Sequence, residues 1–132
     1  MTFCTFRRRP YFDDAAAVEL VRVEILRTVP EADFELLACC FMPDHLHLLV
    51  AGMSPTAALL PFVRLSRQRA ATAFRRHALQ GLWQPGYFER TLRADDDVNV
   101  VARYIQANPV RARLADTVGE WPFSGGRLLD AT

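Results

Sequence analysis

The sequence predicts an α+β protein with a ferredoxin-like antiparallel sheet and helices packed on it, in the order β-α-β-β-α-β-α. Two observations support this class. Apolar runs stand on either side of the turn Pro43-Asp44, which is typical of an antiparallel hairpin. Segments with apolar residues at helical spacing precede and follow that hairpin, so strands and helices interleave. The length of 132 residues fits one domain, and we expect residues 1–132 to form a single domain.

The composition argues against a disordered, a membrane-spanning and a disulfide-rich secreted protein. Hydrophobic residues make up 51% of the chain, so a disordered protein is not expected. No apolar run is long enough to span a bilayer, and the arginines among residues 1–10 precede no apolar stretch of a signal peptide. The cysteines Cys4, Cys39 and Cys40 lack disulfide or zinc-site spacing. We therefore expect buried free thiols and a cytoplasmic protein.

The charge is polarised along the chain, although the formal net charge is only +1. All sixteen basic residues are arginines, and seven of them lie between residues 61 and 93 against a single acid. Between residues 10 and 60, eight acids stand against two arginines. The basic block can be a solvated helix face or a surface for phosphates, and the sequence leaves both interpretations open.

The elements of the first third follow from periodicity and turn signals. Thr2–Phe6 alternates weakly and is predicted as the first strand. Asp13-Asp14 suits the start of a helix over Ala15–Thr28, which Pro30 is expected to stop. Phe34–Phe41 is the first strand of the hairpin.

The elements after the hairpin are predicted in the same way. Ser54-Pro55 is a good helix start, and the helical pattern continues over residues 62–79, with Pro61 restarting or kinking the helix. Tyr87–Arg93 is predicted as the last strand. Asp95 is expected to cap a further helix.

The second strand of the hairpin, residues 42–51, carries the first chemical signal. Because side chains alternate along a strand, His45 and His47 share one face with Leu49, while the other face is wholly apolar. Two imidazoles on one strand face can bind a single divalent metal. Two half-buried histidines bonded to water or backbone would give the same pattern, so this spacing alone does not distinguish a metal site from two ordinary histidines.

The second chemical signal is the segment around Tyr104 and Asn108. These residues are four apart on a predicted helix that Pro109 ends, so they stack on one helix face. Two imidazoles and a carboxamide oxygen can hold Mg²⁺ or Mn²⁺ with open positions for a phosphate. A tyrosine beside such a site can attack the phosphorus as a covalent nucleophile. Alone, Tyr104 would more often be a half-buried core residue and Asn108 a helix cap.

Four ordered segments resemble those of the REP-associated tyrosine transposases, which are single-tyrosine bacterial relatives of the insertion-sequence transposases. The His-hydrophobe-His motif alone is a weak signal, but the ordered set is specific and covers roughly residues 35–125. The segments are Met42-Pro43-Asp44-His45-Leu46-His47-Leu48-Leu49-Val50, Leu82-Trp83-Gln84-Pro85-Gly86-Tyr87-Phe88-Glu89-Arg90-Thr91-Leu92-Arg93, Tyr104-Ile105-Gln106-Ala107-Asn108-Pro109-Val110-Arg111-Ala112 and Trp121-Pro122-Phe123-Ser124.

The resemblance implies metal-dependent cleavage and strand transfer of single-stranded DNA near hairpins, with Mg²⁺ or Mn²⁺ as cofactor. His45 and His47 match the metal ligands, and Asn108 matches the third ligand. Tyr104 matches the nucleophile, which forms a 5′-phosphotyrosine and leaves a free 3′-hydroxyl. The residues expected to contact DNA are Arg8, Arg64, Arg67, Arg75, Trp83, Arg90, Arg93 and Arg103.

The sequence departs from the family pattern at two positions. It is also compatible with two functions other than the transposase reaction. The family commonly has glycine where Arg113 stands and serine where Gly125 stands, which bears on DNA affinity and target specificity. The first alternative to the transposase is a catalytically silent module that binds a DNA or RNA hairpin. The second is a metal-binding domain with no nucleic-acid role. Monomer or homodimer stays undecided.

Overall fold

The sheet of this protein is antiparallel throughout and has four strands in the order β1-β3-β2-β4. The structure is a computed structural model, and it describes residues 1–130. The strands are β1 (Thr2–Cys4), β2 (Phe34–Met42), β3 (His45–Gly52) and β4 (Ser124–Gly125). The predicted α+β class with an antiparallel sheet is confirmed.

Five helices accompany the sheet within the described residues. None of them is long and apolar enough to cross a membrane. The helices are α1 (Ala15–Glu31), α2 (Leu59–Ala73), α3 (Val98–Gln106), α4 (Asn108–Arg111) and α5 (Arg127–Asp130), with short 3-10 turns at Phe6–Arg8, Tyr11–Asp13 and Val118–Glu120.

The apolar face of β3 forms the main core, as its sequence predicts. Leu46 and Leu48 are at most 1% exposed and pack with Phe41 of β2 against α1 and α2. Val21 of α1 and Phe62 of α2 are fully buried in the same cluster. Each such side chain stabilises the fold by about 1.5–3 kcal/mol on burial, so this face fixes the register of the hairpin.

The histidine face of β3 is covered by a different set of elements. Met42 pairs with His45 and Cys40 pairs with His47 across the hairpin, so these four side chains project to one side of the sheet. Cys40 and Met42 are buried there against Ala102 of α3. Helix α3 therefore packs on the sheet face that carries the two imidazoles.

The predicted start and end of α2 are wrong. Ser54 does not cap a helix, because its hydroxyl bonds to the Asp33 carboxylate and the chain turns again before Leu59. Pro61 lies in the first turn of α2, where its missing N–H leaves no helical bond unmade. The helix ends at Ala73, six residues earlier than its apolar pattern predicts.

Two further helix boundaries differ from the prediction by two or three residues. Asp97, not Asp95, caps α3, since its Oδ1 accepts the backbone N–H of Asn99 at 2.9 Å. Pro30 lies within the last turn of α1, which ends at the next residue. The three aspartates before α3 are equivalent as caps in sequence, so only the backbone path selects among them.

The predicted strand Tyr87–Arg93 is wrong. Of that segment only Phe88 pairs with β1, through two backbone hydrogen bonds to Thr2 at 2.8 and 3.1 Å. Trp83 makes a second isolated bridge to Thr5, and the chain between the two bridges bends at Pro85. The last strand is β4, so the order of elements is β-α-β-β-α-α-α-β-α.

The tail packs back on the domain, as predicted. Trp121 donates its indole N–H to the Phe41 carbonyl at 3.0 Å, and Phe41 donates its backbone N–H to Phe123 at 2.8 Å. The three cysteines are free and buried, which confirms their prediction as core residues.

Candidate active site

The two histidines lie side by side in the middle of the sheet. The His45 and His47 rings have centroids 4.8 Å apart and are perpendicular to each other. Both side chains are half-buried, and β3 is held by β1 on one side and β2 on the other. A strand paired on both edges gives these imidazoles a rigid base.

An acidic side chain orients His45. Its Nδ1 lies 2.7 Å from Asp44 Oδ1, and Asp44 Oδ2 accepts a hydrogen bond from Arg8 Nε at 2.9 Å. Burial opposes ionisation of Asp44, but the hydrogen bonds from Arg8 and His45 outweigh it and lower the pKa of this carboxyl. A carboxylate at Nδ1 keeps the proton there and leaves the Nε2 lone pair available to a ligand.

A hydroxyl holds His47 in a similar way. Its Nδ1 lies 3.0 Å from Thr2 Oγ1, which the pairing of β1 with β3 places directly across the sheet. Burial, the neighbouring His45 and the positive charges of the N-terminus and Arg111 lower the pKa of His47 to about 4. His47 is therefore a neutral imidazole at neutral pH, which is the form that binds metals.

Tyr104 is a surface residue of α3 and not part of the core. Its side chain is 64% exposed, and its hydroxyl makes no hydrogen bond to any residue of the described chain. The Arg111 guanidinium carbon lies 3.7 Å from the centre of the tyrosine ring. Arg111 also donates to the Tyr104 carbonyl at 2.7 Å.

Asn108 begins a new helix instead of continuing α3. The helix breaks at Ala107, and Pro109 occupies the first turn of α4. Asn108 caps neither helix, since its Oδ1 accepts a hydrogen bond from Arg111. Among residues 1–130, no hydrogen bond or ring contact joins Tyr104 or Asn108 to the two histidines.

The Arg67 side chain stabilises the loop that contains Gln84 and Gly86. Its guanidinium donates to the carbonyls of Gly86 at 2.9 Å and Gln84 at 2.6 Å, and it lies 5.2 Å from the centre of the Phe3 ring. Trp83 is half-buried over the same core, and its indole N–H donates to the Arg67 carbonyl at 3.0 Å. The geometry favours packing for both residues, and a DNA contact for either stays a prediction.

The other arginines predicted to contact DNA fall into two groups. Arg8 and Arg90 form ion pairs with Asp44 and Asp96 respectively. The remaining four are exposed and make no side-chain hydrogen bond or ion pair to any residue of the described chain. These four are Arg64, Arg75, Arg93 and Arg103.

The sequence did not single out three residues that contact the predicted site. Asp44 directly precedes His45 in the chain, and this adjacency could have indicated a contact between the two side chains. Thr2 reaches His47 only through the pairing of two distant strands, which no local pattern reveals. Arg111 lies three residues after Asn108, one turn along α4, and helical spacing could have indicated it.

A comparison with protein families matches residues 1–108 to the family described as "Transposase IS200 like". That range contains both histidines, Tyr104 and Asn108, and is most of the chain. The chain belongs to the IS200-like transposase family. This match confirms the resemblance to the transposases that the sequence motifs predict.

Individual relatives agree with the family. The REP-associated tyrosine transposase of Escherichia coli (strain K12) is 29% identical over an alignment of 111 residues, and the match covers 80% of this chain and 62% of that protein. A Haemophilus influenzae (strain KW20 / Rd) protein, provisionally named in the same way, is 28% identical over 109 residues, covering 74% of this chain and 62% of the relative. This chain thus spans about three fifths of the length of these relatives.

A solved structure supports the fold independently. The structure of a REP-associated tyrosine transposase bound to a REP hairpin superposes with a TM-score of 0.78 at 23% identity. The superposition covers 93% of this chain and 72% of the other. This chain therefore shares its fold with that protein.

Proposed function

We propose that this protein cleaves single-stranded DNA near hairpins and transfers the strand through a 5′-phosphotyrosine on Tyr104, with a divalent metal. The observation that carries the proposal is the pair of adjacent, half-buried imidazoles, each fixed through Nδ1 by a neighbouring oxygen. Such a pair presents two Nε2 lone pairs on one strand face. Membership of a transposase family supports the choice of reaction.

His45, His47 and Asn108 would hold the metal. Two neutral imidazole nitrogens and an amide oxygen are a donor set that accepts Mg²⁺ or Mn²⁺, and metal availability decides between the two. When bound, the ion polarises the phosphoryl oxygens and stabilises the leaving oxygen. The neutral state of His47 fits this role, because no proton has to be displaced from it near neutral pH.

Tyr104 would act as the nucleophile. Its oxygen forms a bond to the phosphorus and releases its proton, while the bond from phosphorus to the 3′-oxygen of the preceding nucleotide breaks. That 3′-oxygen takes up a proton and leaves as a free hydroxyl. The exposure of Tyr104 supports the assignment, because a long strand has to reach the phenol oxygen. Attack by another 3′-hydroxyl on the phosphotyrosine rejoins the strand.

The exposed arginines would hold the DNA backbone. Arg64, Arg75, Arg93 and Arg103 are free to contact phosphates, which position a strand without reading its sequence. The solved relative bound to a REP hairpin supports a hairpin as the partner.

We further propose that the protein works in the cytoplasm, where its buried thiols stay reduced, and that a homodimer is one of its working forms.

A cleavage assay tests the proposal. The protein is incubated with labelled single-stranded hairpin oligonucleotides and Mn²⁺ or Mg²⁺, beside Tyr104→Phe and the control Tyr87→Phe. We expect a labelled protein band on a denaturing gel that needs the metal, persists in Tyr87→Phe and vanishes in Tyr104→Phe.

A second candidate function is a silent hairpin-binding module. The observation that favours it is the engagement of Asn108 with Arg111 and the lack of contact between Tyr104 and the histidines within residues 1–130. Salt-sensitive hairpin binding with no covalent band under either metal would establish this alternative and overturn the transposase reaction.

A further inference from the structure

The Arg111 side chain contacts both residues proposed for the tyrosine end of the site, Tyr104 and Asn108. Its guanidinium lies 3.7 Å from the centre of the Tyr104 ring and donates to the Tyr104 carbonyl at 2.7 Å. The same nitrogen donates to Asn108 Oδ1. A charged donor on a side-chain carbonyl makes a stronger hydrogen bond than a neutral one.

This contact conflicts with the role proposed for Asn108. The amide oxygen that would ligate a metal is the oxygen that Arg111 holds. A guanidinium also repels a divalent cation placed at the same oxygen.

We propose that Arg111 is a positioning residue that holds Tyr104 and Asn108 in the arrangement seen here and competes with a divalent ion for Asn108 Oδ1. The inference rests on the proposed function. A divalent ion would bind Asn108 Oδ1 only after this guanidinium has turned away.

A DNA phosphate is the group that releases the guanidinium. Arginine binds phosphate through two parallel N–H donors, which an amide oxygen cannot match. Arg111 is exposed and needs only a side-chain rotation to reach a strand that passes Tyr104. DNA and metal should therefore each raise the affinity for the other, since coupling between two ligands is reciprocal.

Metal titrations test the competition without any need for cleavage. Mn²⁺ is titrated calorimetrically into the wild-type protein, Arg111→Met, Asn108→Ala and the double variant, with Arg113→Met as the control that removes the same charge two residues away. We expect Arg111→Met to bind Mn²⁺ about tenfold more tightly, the factor that corresponds to about 1.4 kcal/mol. Arg113→Met should bind like the wild type.

The double variant separates competition for Asn108 from the general effect of charge. If Arg111 acts through the Asn108 oxygen, the gain disappears when Asn108 is already alanine. A gain of equal size in that background, or in Arg113→Met, would mean through-space repulsion and would overturn the proposal. Addition of a non-cleavable hairpin should tighten Mn²⁺ binding in the wild type and much less in Arg111→Met.

A metal-free measurement completes the test. The chain has three tyrosines, so ring signals from labelled tyrosine can be assigned by single Tyr→Phe changes. Arg111→Met should shift the Tyr104 signals, and Mg²⁺ should move the wild-type signals in the same direction. Unmoved Tyr104 signals in Arg111→Met would overturn the proposal.

The failure of this proposal differs from the failure of the proposed function. A wild-type protein that binds Mn²⁺ and loses it in His45→Ala, with no gain in Arg111→Met, overturns only the role of Arg111. A protein that binds no Mn²⁺ in any variant overturns both.

Discussion

Asp44 Oδ1 lies 2.7 Å from Nδ1 of His45, its immediate neighbour in the chain. Adjacent residues within a strand point to opposite faces, so this contact exists only because Asp44 belongs to the turn before β3. Arg8 holds the other carboxylate oxygen at 2.9 Å. The tautomer of His45 is thus set by a residue that the hairpin turn supplies.

This contact predicts that Asp44→Asn weakens metal binding. The amide is a weaker acceptor and presents either an oxygen or a nitrogen to the imidazole, so the Nε2 lone pair is no longer assured. Loss of such a contact typically reduces metal affinity about 10–100-fold. Calorimetric titration with Mn²⁺ measures the change, and Asp33→Asn at the far end of the hairpin serves as the control. Equal affinity of Asp44→Asn and the wild type would contradict the prediction.

Arg67 and Arg64 form a matched pair for separating stability from DNA binding. Both lie on α2, but Arg67 donates to two loop carbonyls whereas Arg64 makes no side-chain hydrogen bond to residues 1–130. We expect Arg67→Gln to lower the free energy of unfolding by about 1–3 kcal/mol, because the half-buried Gln84 carbonyl and the exposed Gly86 carbonyl lose a charged donor. Urea denaturation measures this loss.

Arg64→Gln should show the opposite behaviour. Its stability should stay within about 0.5 kcal/mol of the wild type, as for most exposed substitutions. Its affinity for hairpin DNA should fall, and the slope of log affinity against log salt should become smaller by roughly 0.7–0.9. An unchanged salt slope would remove Arg64 from the DNA-contacting residues.

The sequence predicted the hairpin and the face of the imidazoles because both depend on local alternation. His45 and His47 share a face whatever the rest of the chain does. The α2 start was missed because Ser54 bonds to Asp33, twenty-one residues away, instead of to its own helix. Tertiary contacts of this kind override capping preferences and leave no local signal.

The tyrosine end of the site was predicted less completely. The residue types and their four-residue spacing indicated Tyr104 and Asn108, but the spacing assumed one continuous helix. The break at Ala107 follows from Pro109, which cannot donate a backbone N–H and begins a new helix. The engagement of Asn108 with Arg111 depends on side-chain conformation, which periodicity does not specify.

Arg113 occupies a backbone position that favours glycine. Its φ is 61°, and it follows α4 in a Schellman arrangement, in which Leu114 N–H bonds to the Pro109 carbonyl and Arg113 N–H to that of Val110. A residue with a Cβ costs about 1–2 kcal/mol in this conformation. Glycine is therefore the residue that this backbone geometry favours at position 113.

Arg113→Gly should therefore stabilise the protein. Relief of the backbone strain outweighs the extra freedom of glycine in the unfolded chain, for a net gain of about 0.5–1 kcal/mol. Thermal denaturation measures the gain, and Arg113→Ala is the control that keeps the Cβ. A gain of the same size in Arg113→Ala would assign the effect to the lost charge instead of the backbone.

Gly126 connects β4 to α5 and leaves no room for a side chain. Its φ is 113°, and a Cβ placed on it would lie 2.7 Å from the Leu37 carbonyl oxygen and 2.8 Å from the Ala38 backbone. Because backbone atoms of a paired strand cannot move aside, Gly126→Ala should lower the free energy of unfolding by about 3 kcal/mol, through left-handed strain and the clash together. Gly119→Ala is the control, since within residues 1–130 no heavy atom outside Gly119 and its two chain neighbours lies within 4 Å of its Cβ position. Urea denaturation measures the free energy of unfolding of both variants. Equal stability of Gly126→Ala and Gly119→Ala would mean that the β4–α5 turn does not pack on β2.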